Sequence, residues 1–464
     1  MLFVSLLITS TSLTMNGGCL SLYHRALAVP HTLPPPSSVG PTIVKNDTRL
    51  KVETVFTGLR SPTSMAFLGP DDILVLEKSQ GTVKRIVNGS MLSKPLLKVA
   101  VATLLERGML GIAIAKHGEG GHTYVFLYYT ESGGGKNGDD RPAASGGTVG
   151  IQPLGNRLYR YELVGNQLVN PKLLLTLPTI PPDPTSPEAN HNGGKVVLGP
   201  DGYVYTIIGD VGGHKGQAQN IASGAPLDGT GGILKVSQDG QPAPNPPLGG
   251  GGTGSATTSG NNSSSINMSS YYYAYGIRNS FGIGFDPITG KLWDTENGPA
   301  YGDEVNLVDP GFNSGWTKIQ GRWNTEGGTS GGPGPVAPIR PNDLVDLGGK
   351  GKYRPPEFSW LAPIAPTGLT FLNSSKLGKQ YENDMFVADL LYGNIYDFKL
   401  TQNRTNLQLP STLVDKVANG TAESKPLVFA TGFGGLTDLQ VGPDGYLYVL
   451  SYTGGAIYRI VPSG

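Results

Sequence analysis

The sequence predicts an all-β fold, a six-bladed β-propeller of four-stranded antiparallel blades. Three observations lead there. A unit of a Gly/Pro/Asp turn followed by one or two short alternating strands recurs six times. Glycine and proline supply 69 and 37 of the 464 residues without a collagen-like period. No long stretch after residue 45 keeps a 3.6-residue apolar period.

The clearest copies of the unit are LGPDDILVLEKSQGTVKRI (68–86), LGPDGYVYTIIGD (198–210), FDPITGKLWDTEN (285–297) and VGPDGYLYVLSYTGGAIYRI (441–460). Two looser copies are GMLGIAIAKHGEGGHTYVFLYYT (108–130), whose partner is NRLYRYEL (156–163), and NDMFVADLLYGNIYDFKL (383–400). In GPDGYVYTII the turn residues reverse the chain, and Tyr203, Tyr205 and Ile207 alternate with Val204, Thr206 and Ile208 across the two strand faces. A single antiparallel blade cannot bury both faces. Radial packing gives each blade a neighbour and leaves only short edges, which favours a propeller over a two-sheet sandwich. Two low-complexity tracts, 132–150 and 240–270, read as mobile loops.

Lys+Arg and Asp+Glu are equal at 35 each, so no global field points to nucleic acid or an acidic membrane. Charged residues make up only 15% of the chain, and solubility therefore rests on Ser, Thr, Asn and loop backbone. Cys19 is the single cysteine, which excludes an intrachain disulfide and a Cys-based metal site. Residues 2–15 (LFVSLLITSTSLTM) are apolar but short for a membrane span. Residues 1–29 are read first as a cleaved signal peptide, then as an uncleaved anchor or a lipid anchor at Cys19. Residues 30–48, opening on the Pro-rich run Pro30–Pro41, are expected to be a tether, and 49–464 the propeller. N-x-[ST] sequons at Asn46, Asn88, Asn261, Asn262, Asn267, Asn373, Asn403 and Asn419 lie in polar, loop-like stretches and agree with an exported, cell-surface or extracellular glycoprotein.

His191, in EANHNGGKVVLGPDG, sits just before a strand, between Asn190 and Asn192 and ahead of Gly193 and Gly194. Asp210 follows nineteen residues later, and a strand, a reversal and a returning strand could bring it back beside His191. A carboxylate on one imidazole nitrogen fixes the tautomer and raises basicity at the other, which suits a general base; spacing alone favours a solvated loop histidine. YAYGIRNSFGIGFDP places Arg278 and Asn279 between a strand end and the next turn. In TENGPAYGDEVNL, Gly298 and Pro299 stand near Asp303, Glu304 and Asn306, oxygen donors of the kind a hard cation such as calcium takes; a solvated turn has the same composition.

The ordered set ERGMLGIA (106–113), HNGGKVVLGPDG (191–202), IGDVGG (208–213), GGILKVSQDG (231–240), YGIRNSFG (275–282), ENGPAYGDEVNL (296–307) and APTGLTF (365–371) resembles the soluble quinoprotein glucose and aldose (sorbosone) dehydrogenases over about residues 51–460. The resemblance implies pyrroloquinoline quinone (PQQ) stacked over the central pore with a calcium ion polarising it. His191 then stands at the family's general base, Asp210 at the carboxylate that orients it, and Arg278 and Asn279 at residues contacting the quinone. Gly298 and Pro299 match the carbonyls that bind calcium, and Glu106 stands where some members carry a neutral glutamine at the cofactor. The substrates implied are a sugar or polyol and an electron acceptor.

The resemblance also marks a departure. Leu391, Gly435 and Thr437 occupy positions where the family carries a lysine and two arginines for the three PQQ carboxylates. Losing those charges should cost several kcal/mol of cofactor binding, because charge-assisted hydrogen bonds contribute about 1.5–3 kcal/mol each. Two alternatives follow: a calcium-dependent hydrolase, or a noncatalytic propeller that binds a glycan or protein.

Overall fold

A computed structural model describes residues 33–464 apart from 46, 117, 142–149, 180–188, 213–219, 221–226, 250–254, 257–265 and 325–342. Six sheets of four to six strands carry the molecule, with two short two-stranded ribbons beside them. Their innermost strands are Pro62–Gly69, Met109–Ala115, Val196–Leu198, Ser280–Phe285, Pro366–Phe371 and Leu436–Val441, and each contacts the next, the last returning to the first. This closed ring is an all-β propeller.

The repeated turn shows why these sequences form strand pairs. Asp201 accepts the Tyr203 N–H at 3.2 Å and the Tyr205 hydroxyl at 2.9 Å, and Gly202 takes φ +79°. Asp444 repeats the arrangement with Tyr446 and Tyr448 at 3.2 and 2.8 Å, around Gly445 at φ +82°. One carboxylate thus sets both the reversal and the outgoing strand. Each of the six sequence units falls in a different sheet of the ring.

Apolar clusters lie between neighbouring sheets around the ring. Leu74 meets Met109 and Val125; Tyr128 meets Val196 and Tyr272; Ile207 meets Ile283 and Leu292. Trp293 clusters with Leu369 and Phe398, Phe386 with Leu439, and Tyr448 with Met65 and Ile73. The core is therefore a set of radial seams, each filled by residues from two blades. The N-terminal strand Leu50–Thr57 closes the circle by pairing antiparallel with Ala456–Pro462 at the C-terminus.

The uniform four-stranded blade requires correction. Only the sheets ending on Gln167–Leu177 and on Leu50–Thr57 have four strands. The sheet from Val196 gains Phe312–Asn313 and Lys352–Tyr353 in parallel, and the sheet from Ser280 gains Val417–Ala418 in parallel. These two-residue additions come from connecting loops that hydrogen-bond to an otherwise open outer edge.

The loop tracts also differ from expectation where they are described. Asp140 is buried, ion-paired to Arg107 at 3.2 Å, and accepts the Thr103 and Leu104 N–H groups. Ala243 and Leu248 of the second tract are buried as well. Residues expected as a tether lie against the ring: Thr42–Ile43 pairs antiparallel with Thr431 and Ala430, and Val44 N donates to Phe429 O at 2.8 Å. Residues 1–29, including Cys19, fall outside the described residues, and among the described residues no helix is long and apolar enough to cross a membrane.

Candidate active site at the channel mouth

His191 sits at φ +60°, a left-handed conformation that a non-glycine residue rarely holds and that often marks a functional site. The glycines after it let the backbone pack closely. A Cβ on Gly193 would lie 2.4 Å from Ile207 O, and one on Gly194 would lie 2.6 Å from Leu110 Cβ. The following strand, Val196–Leu198, reverses into Val204–Ile208 and returns Asp210 to His191. His191 Nδ1 is hydrogen-bonded to Asp210 Oδ1, with Asp210 buried and His191 12% exposed at its side chain. The other imidazole nitrogen, Nε2, is thereby left as the proton-accepting position.

Asp210 is held from two further directions. Its N–H donates to Arg278 O at 2.8 Å, and its Oδ2 accepts Trp316 Nε1–H at 2.9 Å. Trp316 also underlies the Arg278 guanidinium, 5.5 Å from ring centroid to guanidinium carbon. Arg278 Nη1 donates to Asn297 O and Gly298 O, both at 2.9 Å. His191, Asp210, Trp316, Arg278 and Gly298 therefore form one connected chain of polar and ring contacts.

Glu106 and Asn279 join the same group. Glu106 accepts the His191 N–H at 2.5 Å and the Asn279 amide at 3.4 Å. Asn279 is 4% exposed, and its Oδ1 has no hydrogen-bond partner among the described residues. An orphaned buried acceptor of this kind suits a ligand donor.

Behind Gly298 lies an acidic layer. Asp303 accepts N–H groups from Gly298, Ile364 and Ala365 at 2.7–2.8 Å, and burial pushes its carboxyl up to about 6. Glu296 accepts Arg278 N at 2.7 Å and Ser314 Oγ at 2.6 Å, and burial pushes it up to about 7. Glu304 and Asp294 are raised too, by burial first and then by the Glu296 charge. Gly298 is buried, while Pro299 is exposed at the turn. Among the described residues no group of three or more His, Cys, Asp or Glu side chains has metal-binding geometry, so a cation here would depend on backbone carbonyls.

The mouth opens into a cavity of about 230 Å³ lined by Leu33, Thr63, Lys78, Leu105, Glu106, Leu110, Gly193, Lys195, Phe281, Thr367, Leu390, Thr437 and Tyr452. Sequence reasoning did not single out Lys78, Lys195, Trp316 or Leu33. Lys195 follows His191 by four residues in the HNGGKVVLGPDG segment, and Trp316 lies in GFNSGWT (311–317), shortly after the ENGPAYGDEVNL segment; those are the available signals. Leu390, rather than Leu391, faces the cavity. Gly435 has an ordinary backbone, but a Cβ there would sit 2.9 Å from Leu390 O.

A model of the glucose/sorbosone dehydrogenase family matches residues 59–459. The chain belongs to that family. It is 24% identical to the aldose sugar dehydrogenase YliI of Escherichia coli, over 89% of this chain and 93% of the relative. It is 27% identical to quinoprotein glucose dehydrogenase B of Acinetobacter calcoaceticus, over 58% of this chain and 52% of the relative. Among solved structures, the apo-form of the soluble E. coli aldose sugar dehydrogenase superposes with a TM-score of 0.63 at 22% identity, covering 89% of this chain and all but 1% of that one. The PQQ-bound aldose sugar dehydrogenase of Streptomyces coelicolor gives 0.58 at 22% identity, covering 90% and 99%. These likenesses establish the propeller fold.

Proposed function

We propose that the protein is an exported sugar dehydrogenase that oxidises an aldose or polyol hydroxyl, with His191 as general base. The observation that carries this reading is His191 Nδ1 hydrogen-bonded to a buried Asp210, beside the cavity-lining Glu106 that accepts the His191 N–H. Asp210 keeps the imidazole in the tautomer whose Nε2 can take the hydroxyl proton, and it stabilises the imidazolium that forms. Trp316 and the Arg278 carbonyl fix Asp210 in turn. Arg278, within reach of the same site, is placed to stabilise oxygen charge that develops as the carbon is oxidised.

Family membership makes PQQ and calcium the expected partners, and a bound quinone would supply the hydride-accepting centre. Two groups of residues bear on whether they suit this site. The redox end is compatible: Asn279 Oδ1 has no hydrogen-bond partner among the described residues, and the carbonyls of Gly298 and Pro299 lie at a turn anchored by Asp303, with Gly298 O also accepting Arg278 Nη1. The carboxylate end does not fit. PQQ carries three carboxylates, yet of the three positions where cations are expected Thr437 lines the cavity without charge, Gly435 has no side chain to offer, and Leu391 is apolar, its neighbour Leu390 taking the place on the cavity wall. The reading of a lost PQQ site, with a changed ligand at the mouth, draws its support from this apolar replacement.

Dye-linked oxidation of an aldose panel, with calcium and with PQQ or other quinones, tests the activity. His191→Ala should lower the maximal rate about 100-fold or more, the usual effect of removing a positioned base. An unchanged rate in that variant would overturn its role. Export is supported by the apolar start and by sequon asparagines Asn88, Asn373, Asn403 and Asn419 standing exposed. Mass spectrometry of native protein should find an N-terminus after about residue 18 or intact chain in the membrane fraction; full-length protein confined to cytosol would contradict it.

A further inference from the structure

We infer that the channel-mouth cavity is built for a largely apolar ligand bearing a single anionic group, which seats at Lys78 against a wall formed by Leu33. The inference rests on the reading that the mouth holds the sugar's redox partner, and it specifies the chemistry of that partner.

Charge is the first argument. Of the three charged residues lining the cavity, Lys195 is already neutralised: its Nζ is bonded to Asp438 Oδ1, and both side chains are buried. Glu106 directs its carboxylate to the His191 N–H and the Asn279 amide. Lys78 is different. It is 9% exposed, and the one hydrogen bond its ammonium makes among the described residues goes to Leu105 O at 2.6 Å. An ammonium has three donors, so Lys78 retains donors for a ligand. Burial pushes its pKa down to about 8, as expected of a cation whose surroundings compensate it incompletely. A first anionic group finds Lys78; a second or third finds no free cation and approaches Glu106.

The wall is the second argument. Leu33 reaches the cavity because the chain after it is strapped across the mouth. Pro34 O accepts the Thr453 hydroxyl at 2.7 Å and Gly435 N at 3.3 Å, and Ser37 N donates to Gly432 O at 2.9 Å. Gly434 takes φ +75°, and a Cβ there would lie 2.3 Å from Thr453 Oγ1, 3.0 Å from Pro36 N and 3.1 Å from Pro34 O, so a side chain at 434 would crowd both the strap and the Thr453 hydroxyl that holds it. The strap runs over Gly434 and Gly435, beside Thr437, where the family resemblance would place arginines. An apolar side chain from the N-terminal segment thus stands on the side where charge is missing.

The test is equilibrium titration of the full-length protein with 1-anilinonaphthalene-8-sulfonate, which joins one sulfonate to apolar rings, and with PQQ in the presence of calcium. Wild-type protein should bind one naphthalene sulfonate per chain, and PQQ should displace it only at tenfold or higher concentration. Lys78→Met should weaken sulfonate binding about tenfold or more, the loss expected for one charge-assisted contact, while binding of uncharged N-phenyl-1-naphthylamine should persist. Leu33→Ala should weaken both probes, which separates the wall from the charge. Tighter binding of PQQ than of the sulfonate, equal sulfonate binding by Lys78→Met, or no binding by wild type would each overturn the inference. Absence of sugar oxidation with every acceptor, alongside the expected probe pattern, would instead sink the dehydrogenase reading and the ligand's part as redox partner, while the cavity's fit to an apolar monoanion would stand.

Discussion

The two sides of the channel mouth obey different rules. On one side, His191, Asp210, Trp316, Arg278, Asn279 and Glu106 form a connected polar group in which Asp210 alone meets three partners. On the other, Leu33, Leu390 and Thr437 line the same cavity with uncharged side chains, Lys195 beside them is paired to Asp438, and a strap from the N-terminal segment covers Gly434 and Gly435. On the function proposed above, the difference means that a proton-transfer site and the site of its redox partner can change independently. The first is built by short loops of three neighbouring sheets: Glu106 before Met109–Ala115, His191 and Asp210 flanking Val196–Leu198 and Val204–Ile208, and Arg278 before Ser280–Phe285. The second is spread over the last two blades and the strap, so a few substitutions alter its charge without touching the base.

The largest expected effect is on the polar side. Beyond the loss set out for His191→Ala, Asp210→Asn should lower the maximal rate about tenfold or more by disturbing the tautomer, with a smaller effect on substrate KM. Equal losses in KM and no loss in maximal rate would show that the pair binds sugar without moving a proton.

Restoring charge on the apolar side should follow in size. Thr437→Arg combined with Leu33→Ala places a cation at a cavity-lining position and removes the wall. PQQ binding should tighten about tenfold, less so at high salt, although a buried pair is screened weakly. Calorimetric titration checks this, with far-UV dichroism to confirm the fold. Unchanged affinity would show that the apolar side does not face the cofactor.

Trp316→Phe probes the link inside the polar side. It keeps a ring beneath Arg278 but removes the 2.9 Å hydrogen bond to Asp210. The carboxylate then concentrates its charge on His191, and the acid limb of the pH–rate profile should move to higher pH with a rate loss of about threefold to tenfold. A lower rate with an unmoved profile would make Trp316 a packing residue only.

A separate effect concerns stability. Lys78 has a folded pKa of about 8 against an ordinary 10.5, so below pH 8 both folded and unfolded chains carry the charge and the fold bears the burial cost. That cost fades as pH rises from about 8 toward 10.5. Lys78→Met should therefore stabilise the protein on the order of 2 kcal/mol at pH 7 and by less at pH 10. Urea unfolding at the two pH values checks it, and equal gains would mean that Lys78 is not desolvated.

Much of the fold was legible because its signals are local. The GPDGY turns write their own hydrogen bonds through Asp201 and Asp444, and each of the six units marks a strand pair in a separate sheet. The return of Asp210 to His191 was legible for the same reason, since one reversal connects them. What the sequence hid depends on contacts between distant segments. Trp316 reaches Asp210 across 106 positions, Lys195 finds Asp438 across 243, and Pro34 meets Thr453 across 419. No periodicity encodes such pairings. The parallel two-residue strands were equally hidden, being loops that become strands only through the edge they cover. The Pro-rich run looked like a spacer because proline does not pair as a strand interior, yet its carbonyls accept hydrogen bonds as well as any.

The central claim is that His191 removes a hydroxyl proton while hydride leaves the adjacent carbon. Single-turnover oxidation of an aldose deuterated at C1, compared with the unlabelled sugar, tests it most directly. A primary isotope effect on the wild-type rate, with turnover lost in His191→Ala, is the predicted result; equal rates for the two isotopologues, or oxidation that survives in His191→Ala, would contradict it.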